Sequence, residues 1–546
     1  MQRFLRDLLP GAALSLAGCL LIAVYGPLEL FFTNYDEFMF GFPVLFPVLL
    51  KLFLVGLAVC LAVFAISYGL YRRLYDVLLC LGAVAFLCTY IQGMFLVGDL
   101  PPLDGTRIEW SQYRGQDALS LLIWLVVGVG FVLLARFLGR RWIYRIVTGL
   151  SLFLTAVLLV TGITVGLQAH GFGPRPKTLM TTEGQMTLST DENLVILVMD
   201  ATDSKTFYDM LHSTDPEFGD ILEDFTYYPN TVCAYPFTKC AIPNILHGQW
   251  FENQEDYQDF TARAMASSPL LQRLRQEDYR VGIYEEESYM VSGKTLTGVE
   301  NTLEFTFQLT GWKQTAKEEM KLVWFKYAPW PLKRLVTIDK DRFNRILKLP
   351  EGIEQFHDEN REFYEMLSSQ PVETVPEKCF RFYHLEGAHV PFRYDRDVNL
   401  ISDGTYEENM QATMTIVSAY LEGLRAAGVY DNTAVILMAD HGYAYGRERE
   451  MLGRCAPILA VKGIGEKHPL EISEAPISYE DLQTLYSRLM DGMTGEKLFD
   501  ARPGDQRDRR VLMYYYKQPD YMAEYIQHGH AFDETALEPT GVIYER

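Results

Sequence analysis

The stretch YPFTKCAIPNILHG at 235–248 sets one hydroxyl, Thr238, and one thiol, Cys240, among apolar residues ahead of a closing His-Gly. A threonine hydroxyl is a poor nucleophile at neutral pH because almost none of it is ionised. Beside a divalent metal its pKa falls, and the same ion can hold an incoming phosphoryl oxygen. Residues able to hold such an ion stand at the ends of apolar runs. Asp200 closes NLVILVMD (193–200), and Asp440 with His441 closes the core of TAVILMADHG (433–442), where the glycine leaves room for a ligand. Carboxylate oxygen and imidazole nitrogen together suit zinc or manganese. An isolated strand-end aspartate more often caps a helix or forms a turn. Two such ends, one of them reading Asp-His-Gly, point instead to a four-ligand site of Asp200, Thr238, Asp440 and His441, with the nucleophile as one ligand.

The elements that must position these residues can be read from the pattern around them. NLVILVMD, YRVGIYEE (279–286), FRFYHLEG (380–387), TAVILMADHG and PILAVKG (457–463) are continuous apolar runs of strand length. Such runs read as strands buried on both faces, as in a parallel sheet. Helix-length segments at 203–212, 268–277, 353–369 and 406–427 alternate with them. The pattern predicts an α/β domain over 191–546 with a doubly wound, mainly parallel sheet, whose ligands sit at the carboxyl ends of the strands.

Ahead of a polar linker at 169–190, residues 1–168 read as a transmembrane domain. Apolar runs at 11–32, 41–69, 74–98, 118–137 and 142–167 are each long enough to cross a hydrocarbon core of ~30 Å. Arg3 and Arg6 precede the first run, Arg72 and Arg73 follow the second, and Arg136, Arg140, Arg141 and Arg145 cluster between the last two. The loops at 33–38 and 98–110 are acidic or mixed. The positive-inside rule then puts the N-terminus in the cytoplasm and the domain after the fifth span outside. Lys51 is the only charge well inside a run, so no intramembrane relay of a transporter is visible.

The net charge is −21. Residues 1–170 hold 11 Lys+Arg against 9 Asp+Glu, leaving 38 against 61 for the remainder. So acidic a domain argues against a nucleic-acid partner. The segment 311–345 departs from this balance: it is basic and rich in Trp and Phe, which fits either a helix in a membrane interface or an amphipathic helix packed on its own domain. Of eight cysteines, Cys19, Cys60, Cys80 and Cys88 fall in the apolar runs, and Cys233, Cys240, Cys379 and Cys455 follow them. Cys233 and Cys240 bracket Thr238, either as a bridge stiffening the loop or as two buried thiols. No C-x-x-C pair is present, which leaves no pattern for a structural zinc site.

Taken in order, a strand ending in acid, a nucleophile loop, HLEGAHVPF (384–392) and a strand ending in Asp-His-Gly resemble the alkaline phosphatase/sulfatase superfamily. Within it the chain is similar to membrane-anchored phosphoethanolamine transferases and lipoteichoic acid synthases. Counting ten residues back from Gly248, where sulfatases carry their modified nucleophile, gives Thr238. Pro243 falls where the transferases place a proline after their nucleophilic threonine. The sulfatase signature C-x-P-x-R is absent, since the string at Cys240 reads CAIPN. Asp200 stands where the transferases carry glutamate, as it does in sulfatases, and His247 replaces the usual threonine before the final glycine. No D-x-x-x-H pair of the two-metal enzymes is present, so one divalent ion is expected. The resemblance carries His384 and His389 over as substrate or leaving-group residues, with Arg393 as a phosphate clamp and Asp203 as a further candidate.

The resemblance implies a membrane-bound, metal-dependent phospho-alcohol transferase. It would move a phospholipid headgroup through a phosphothreonine on Thr238 to a glycan or glycolipid acceptor of the cell envelope. A sulfatase-like hydrolase of phosphodiesters or sulfate esters is the alternative within the fold, and a catalytically silent membrane scaffold is the alternative outside it.

Overall fold

Apolar stretches of 24 to 29 residues dominate the first third of the chain and form five helices. They are α1 Arg6–Thr33, α2 Phe42–Leu70, α3 Arg72–Phe95, α4 Trp110–Leu138 and α5 Arg140–Gln168, each long and apolar enough to cross a membrane. The computed structural model describes residues 2–35, 38, 40–98, 100, 108, 110–169, 172–174, 177–285, 296–338, 346–349, 351–443, 453–515 and 521–545. Most of the 98–110 loop, parts of the 33–38 loop and of the 169–190 linker, Glu286 and the 339–345 end of the basic segment lie outside the described residues.

The chain divides into two compact units, Met1–Lys177 with Phe305–Glu351, and Thr178–Glu304 with Gly352–Arg546. The basic, Trp-rich segment therefore groups with the apolar helices, although the sequence reading placed it in the domain 191–546. Its helix, Trp312–Tyr327, is fixed to them by specific contacts. Lys326 pairs with Glu29 of α1, and Trp330 Nε1 donates to Leu96 O at 2.7 Å. Arg334 pairs with Asp117 of α4 at 2.5 Å. The Tyr327 ring fills the space above Gly93, where a Cβ would come within 2.2 Å of it. Trp312 and Trp324 stay 40% and 44% exposed, so the helix packs on the spans and leaves two indoles partly open, that of Trp312 beside Lys51 of α2.

The second unit is built on seven strands: β1 Asn193–Met199, β2 Thr226–Tyr227, β3 Arg280–Tyr284, β4 Cys379–Leu385, β5 Thr433–Met438, β6 Leu459–Lys462 and β7 Glu471–Ile472. Their order in the sheet is β7-β2-β6-β5-β1-β4-β3. β5, β1, β4 and β3 are parallel neighbours, and β7 is parallel to β2. β6 runs against both β5 and β2. The sheet is thus mixed, with one reversed strand. An apolar run buried on both faces reads the same in either direction, so PILAVKG could not disclose its reversal. Side chains alternate along β1: Leu194, Ile196 and Val198 enter one apolar layer, and Val195, Leu197 and Met199 enter the other. Helices cover both layers, Thr238–His247 and Pro269–Gln276 on the first, Ser204–Leu211 and Tyr406–Ala426 on the second. That is the doubly wound arrangement.

Candidate active site

Register places the site. In β5–β1, Met438 pairs with Val198, so Asp440 and Asp200 follow as the next pair on the same face. In β4–β1, His384 pairs with Val198, and in β4–β3, Tyr383 pairs with Tyr284, which sets Glu285 beside His384. Four adjacent strands therefore aim Glu285, His384, Asp200 and Asp440 from their carboxyl ends on one face.

Two glycines admit the turns that follow. Gly387, at φ 58°, lies so close to Asp200 that a Cβ would sit 2.5 Å from its backbone N. Gly442 is packed against Ala456 O, at 2.8 Å from a built Cβ. Ala201, directly after Asp200, is held at φ 55°, an uncommon conformation for a side-chain-bearing residue that clusters at functional turns.

Thr238 arrives from the helix that covers this face. Phe237 is extended, and Thr238 opens α6, Thr238–His247, which ends at left-handed Gly248. The helix start directs its unbonded N–H groups and positive dipole end toward the same place as the Thr238 hydroxyl, an arrangement that favours anions. Thr238 Oγ1 is 3.5 Å from His441 Nε2. His441 Nε2 is 3.7 Å from Asp200 Oδ1 and 3.5 Å from Asp440 Oδ2. His441 Nδ1 lies 2.8 Å from Gly442 O; a carbonyl only accepts, so Nδ1 carries the proton and Nε2 offers its lone pair inward.

Whether these residues fit a metal can be judged from their own bonding. Asp200, Asp440 and His441 are all buried, with ligand atoms within 4.8 Å of one another. Asp200 Oδ1 and Asp440 Oδ2 are buried and accept no hydrogen bond. Buried carboxylate oxygens left so are costly unless a cation meets them. Burial and the charge of Asp440 push the Asp200 carboxyl well above its usual range. Burial raises Asp440 too, but His441 and His384 outweigh it and hold Asp440 below its usual range. Burial takes His441 down to about 4, which keeps the imidazole neutral, the form that ligates. The set fits one divalent ion, with zinc and manganese both compatible with its donors.

The two carried-over histidines differ in setting. His384 is buried, with Nδ1 2.7 Å from Glu285 Oε2 and Nε2 3.9 Å from Asp200 Oδ2. Burial lowers its pKa, but Glu285 outweighs that and brings it to about 10. His389 is half-buried, with Nδ1 2.6 Å from Val390 O, and burial lowers its pKa. Arg393 donates from Nη2 to Glu386 Oε1 at 2.9 Å. Asp203 caps helix Ser204–Leu211 by accepting from Thr206 N at 2.8 Å. His247 is buried, and its Nδ1 accepts from Gln249 N at 2.9 Å, a packing and capping role. Cys233 and Cys240 are both free, buried thiols. The backbone neighbour of Cys233 is Cys455, whose carbonyl accepts from Cys233 N at 3.0 Å.

Two residues at the site were missed in the sequence. Glu285 closes a third strand in acid, and YRVGIYEE carried that signal. Arg454, whose Nη2 lies 2.8 Å from His441 Nε2, stands in no pattern that marks it.

No protein-family model matches the chain, and no curated protein matches it. Among solved structures, the chain is similar to a protein of the alkaline phosphatase superfamily from Vibrio parahaemolyticus, at TM-score 0.36 and 11% identity over 67% of this chain and 80% of that one. It is similar to a lipoteichoic acid synthase from Listeria monocytogenes, at TM-score 0.35 and 11% identity over 62% and 85%. A phosphonate monoester hydrolase from Silicibacter pomeroyi gives TM-score 0.35 and 11% identity over 65% and 89%. At these scores the likenesses say nothing of the site's chemistry.

Proposed function

We propose that the protein is a membrane-bound, metal-dependent phospho-alcohol transferase that moves a phospholipid headgroup, through a phosphothreonine on Thr238, to a glycan or glycolipid acceptor of the cell envelope. The observation that carries this reading is a hydroxyl at a helix N-terminus 3.5 Å from His441 Nε2, over a buried Asp200–Asp440–His441 cluster. Asp200, Asp440, His441 and the Thr238 hydroxyl would hold one zinc or manganese ion. When bound, it lowers the pKa of a hydroxyl and withdraws charge from phosphoryl oxygens.

The residues then divide the work. Thr238 Oγ1 forms a bond to phosphorus as the bond from phosphorus to the diacylglycerol oxygen breaks, in line, with the threonine proton passing to solvent. The departing alkoxide takes a proton from His384 Nε2, the nitrogen that faces Asp200. An acceptor hydroxyl next attacks the phosphothreonine and gives its proton to one of the two histidines, while the bond from phosphorus to Thr238 Oγ1 breaks and that oxygen takes a proton back from solvent. Arginines flanking the apolar helices support an orientation with the catalytic domain, from residue 191 onward apart from the 305–351 excursion, outside the cell membrane. A water acceptor in place of the sugar would make the same site a hydrolase.

The test is the intact mass of the full-length protein in detergent, loaded with zinc or manganese and given phosphatidylglycerol or phosphatidylethanolamine. An adduct on the wild type, absent from Thr238→Ala, identifies nucleophile and donor together. Bound metal without an adduct from either lipid would sink the transfer reading, and absence of metal would return the scaffold.

A further inference from the structure

Arg454 is held over the site by its backbone. Gly442 N donates to Arg454 O at 2.7 Å, which ties the residue to the turn just after His441. Its Nη2 reaches His441 Nε2 at 2.8 Å. Because His441 Nδ1 already carries the proton given to Gly442 O, the guanidinium donates into the Nε2 lone pair. The same lone pair is the one His441 must present to a metal, so guanidinium and ion cannot both have it.

Several other arginines of this unit have carboxylates of their own, Arg381 with Glu300 at 2.8 Å, Arg393 with Glu386 at 2.9 Å, Arg396 with Asp215 at 2.6 Å and Arg510 with Glu524 at 2.6 Å. The buried Arg509 spends its donors on Asn230 and on the Ile477 and Gly529 carbonyls. Among the described residues Arg454 has no ion pair. The carboxylates that share its pocket, Asp200 and Asp440, belong to the metal cluster, and a divalent ion takes up their charge. A guanidinium that is then uncompensated, with a planar fork of N–H donors beside the Thr238 hydroxyl, matches a tetrahedral oxyanion.

We propose that Arg454 is the oxyanion clamp of this site, gripping the phosphoryl oxygens of the substrate, and that it exchanges His441 Nε2 for that anion when a divalent ion takes the lone pair. The proposal rests on the metal-dependent reading above and assigns to Arg454 the role that the sequence gave to Arg393. It couples two equilibria in opposite directions, since the residue competes with one cation and recruits one anion.

The experiment uses the full-length protein in detergent and two binding measurements that need no turnover. Zinc affinity is titrated against a chelator, and inorganic phosphate affinity is measured on the zinc-loaded protein. Arg454→Ala is expected to bind zinc several-fold more tightly and phosphate at least ten-fold more weakly. Arg454→Lys keeps the charge without the fork and should recover part of the phosphate affinity, which a packing defect would not do. Unchanged or weaker zinc binding by Arg454→Ala overturns the shared lone pair, and unchanged phosphate binding overturns the clamp. A wild type that takes up no zinc overturns the metal-dependent reading itself, and is told apart because the variants then have nothing to differ in.

Discussion

His384 Nδ1 lies 2.7 Å from Glu285 Oε2, with both residues almost fully buried, because the pairing of Tyr383 with Tyr284 brings the next residues of β4 and β3 together. A carboxylate on the far nitrogen fixes the tautomer and direction of an imidazole, and losing such a partner typically costs 10–100-fold. Glu285→Gln keeps the shape but loses the charge. We expect kcat for a chromogenic phosphodiester to fall by roughly 10–100-fold, with KM and zinc content little changed. Loss of zinc in step with activity would instead make Glu285 a metal residue.

The metal cluster predicts its own dissection. In the wild type, zinc at a hundred times its dissociation constant should stabilise the fold by about 2.7 kcal/mol, because it binds only the folded site. Asp440→Asn removes a buried ligand atom that accepts no hydrogen bond. It should abolish both the zinc-dependent rise in melting temperature and the bound metal read by elemental analysis. A variant that still melts higher with zinc would place the ion elsewhere.

Gly387 tests how closely the HLEGAHVPF turn is fitted to the catalytic strand. It combines φ 58° with a space in which a Cβ would come within 2.5 Å of Asp200 N and 2.6 Å of Asp200 O, while Asn360 clamps its N–H and carbonyl at 2.9 and 2.7 Å. Gly387→Ala adds left-handed strain to a clash with main chain that cannot swing aside. A loss of ~3 kcal/mol or more is expected, visible as a lower melting temperature with weakened zinc binding. Full zinc affinity in a destabilised variant would separate the turn from the site.

Much of this was legible because strand-end chemistry is local. The five long apolar runs, the five strand runs and the pair Asp200 with Asp440–His441 follow from side-chain type and spacing alone. What escaped depended on which side chains the turns bring together. The spacing that names Arg393 as a phosphate clamp does not disclose its pairing with Glu386. Arg454 looks like nothing until Gly442 brings it over His441. The reversal of β6 and the short strands β2 and β7 carry no pattern of their own. The segment 311–345 announced its unusual composition, but its lodging against Gly93 and Glu29 is a matter of shape and pairing that composition cannot specify.

That segment also carries a pH signature. Glu319 on helix Trp312–Tyr327 is 1% exposed, its Oε1 accepts no hydrogen bond, and burial raises its carboxyl from 4.5 to about 8. The folded chain therefore keeps a proton that the unfolded chain releases near 4.5. Stability from this group is fully present below 4.5 and is lost as pH rises through about 8, at roughly 1.4 kcal/mol per unit across the window. Lys333, which burial lowers to about 8, acts with the opposite sign but only as pH rises from about 8 to its usual 10.5. Buried histidines titrate below 8 as well, among them His247, which burial lowers to about 3, and His384, which burial lowers but Glu285 brings to about 10, so the difference from Glu319→Gln is what isolates the carboxyl. Melting of the full-length protein at pH 5.5 and 7.5 should show Glu319→Gln gaining on the wild type between the two, with the variant the more stable at the higher pH. Parallel curves for the two proteins would mean that the Glu319 carboxyl is ionised in the folded state and compensated where it lies.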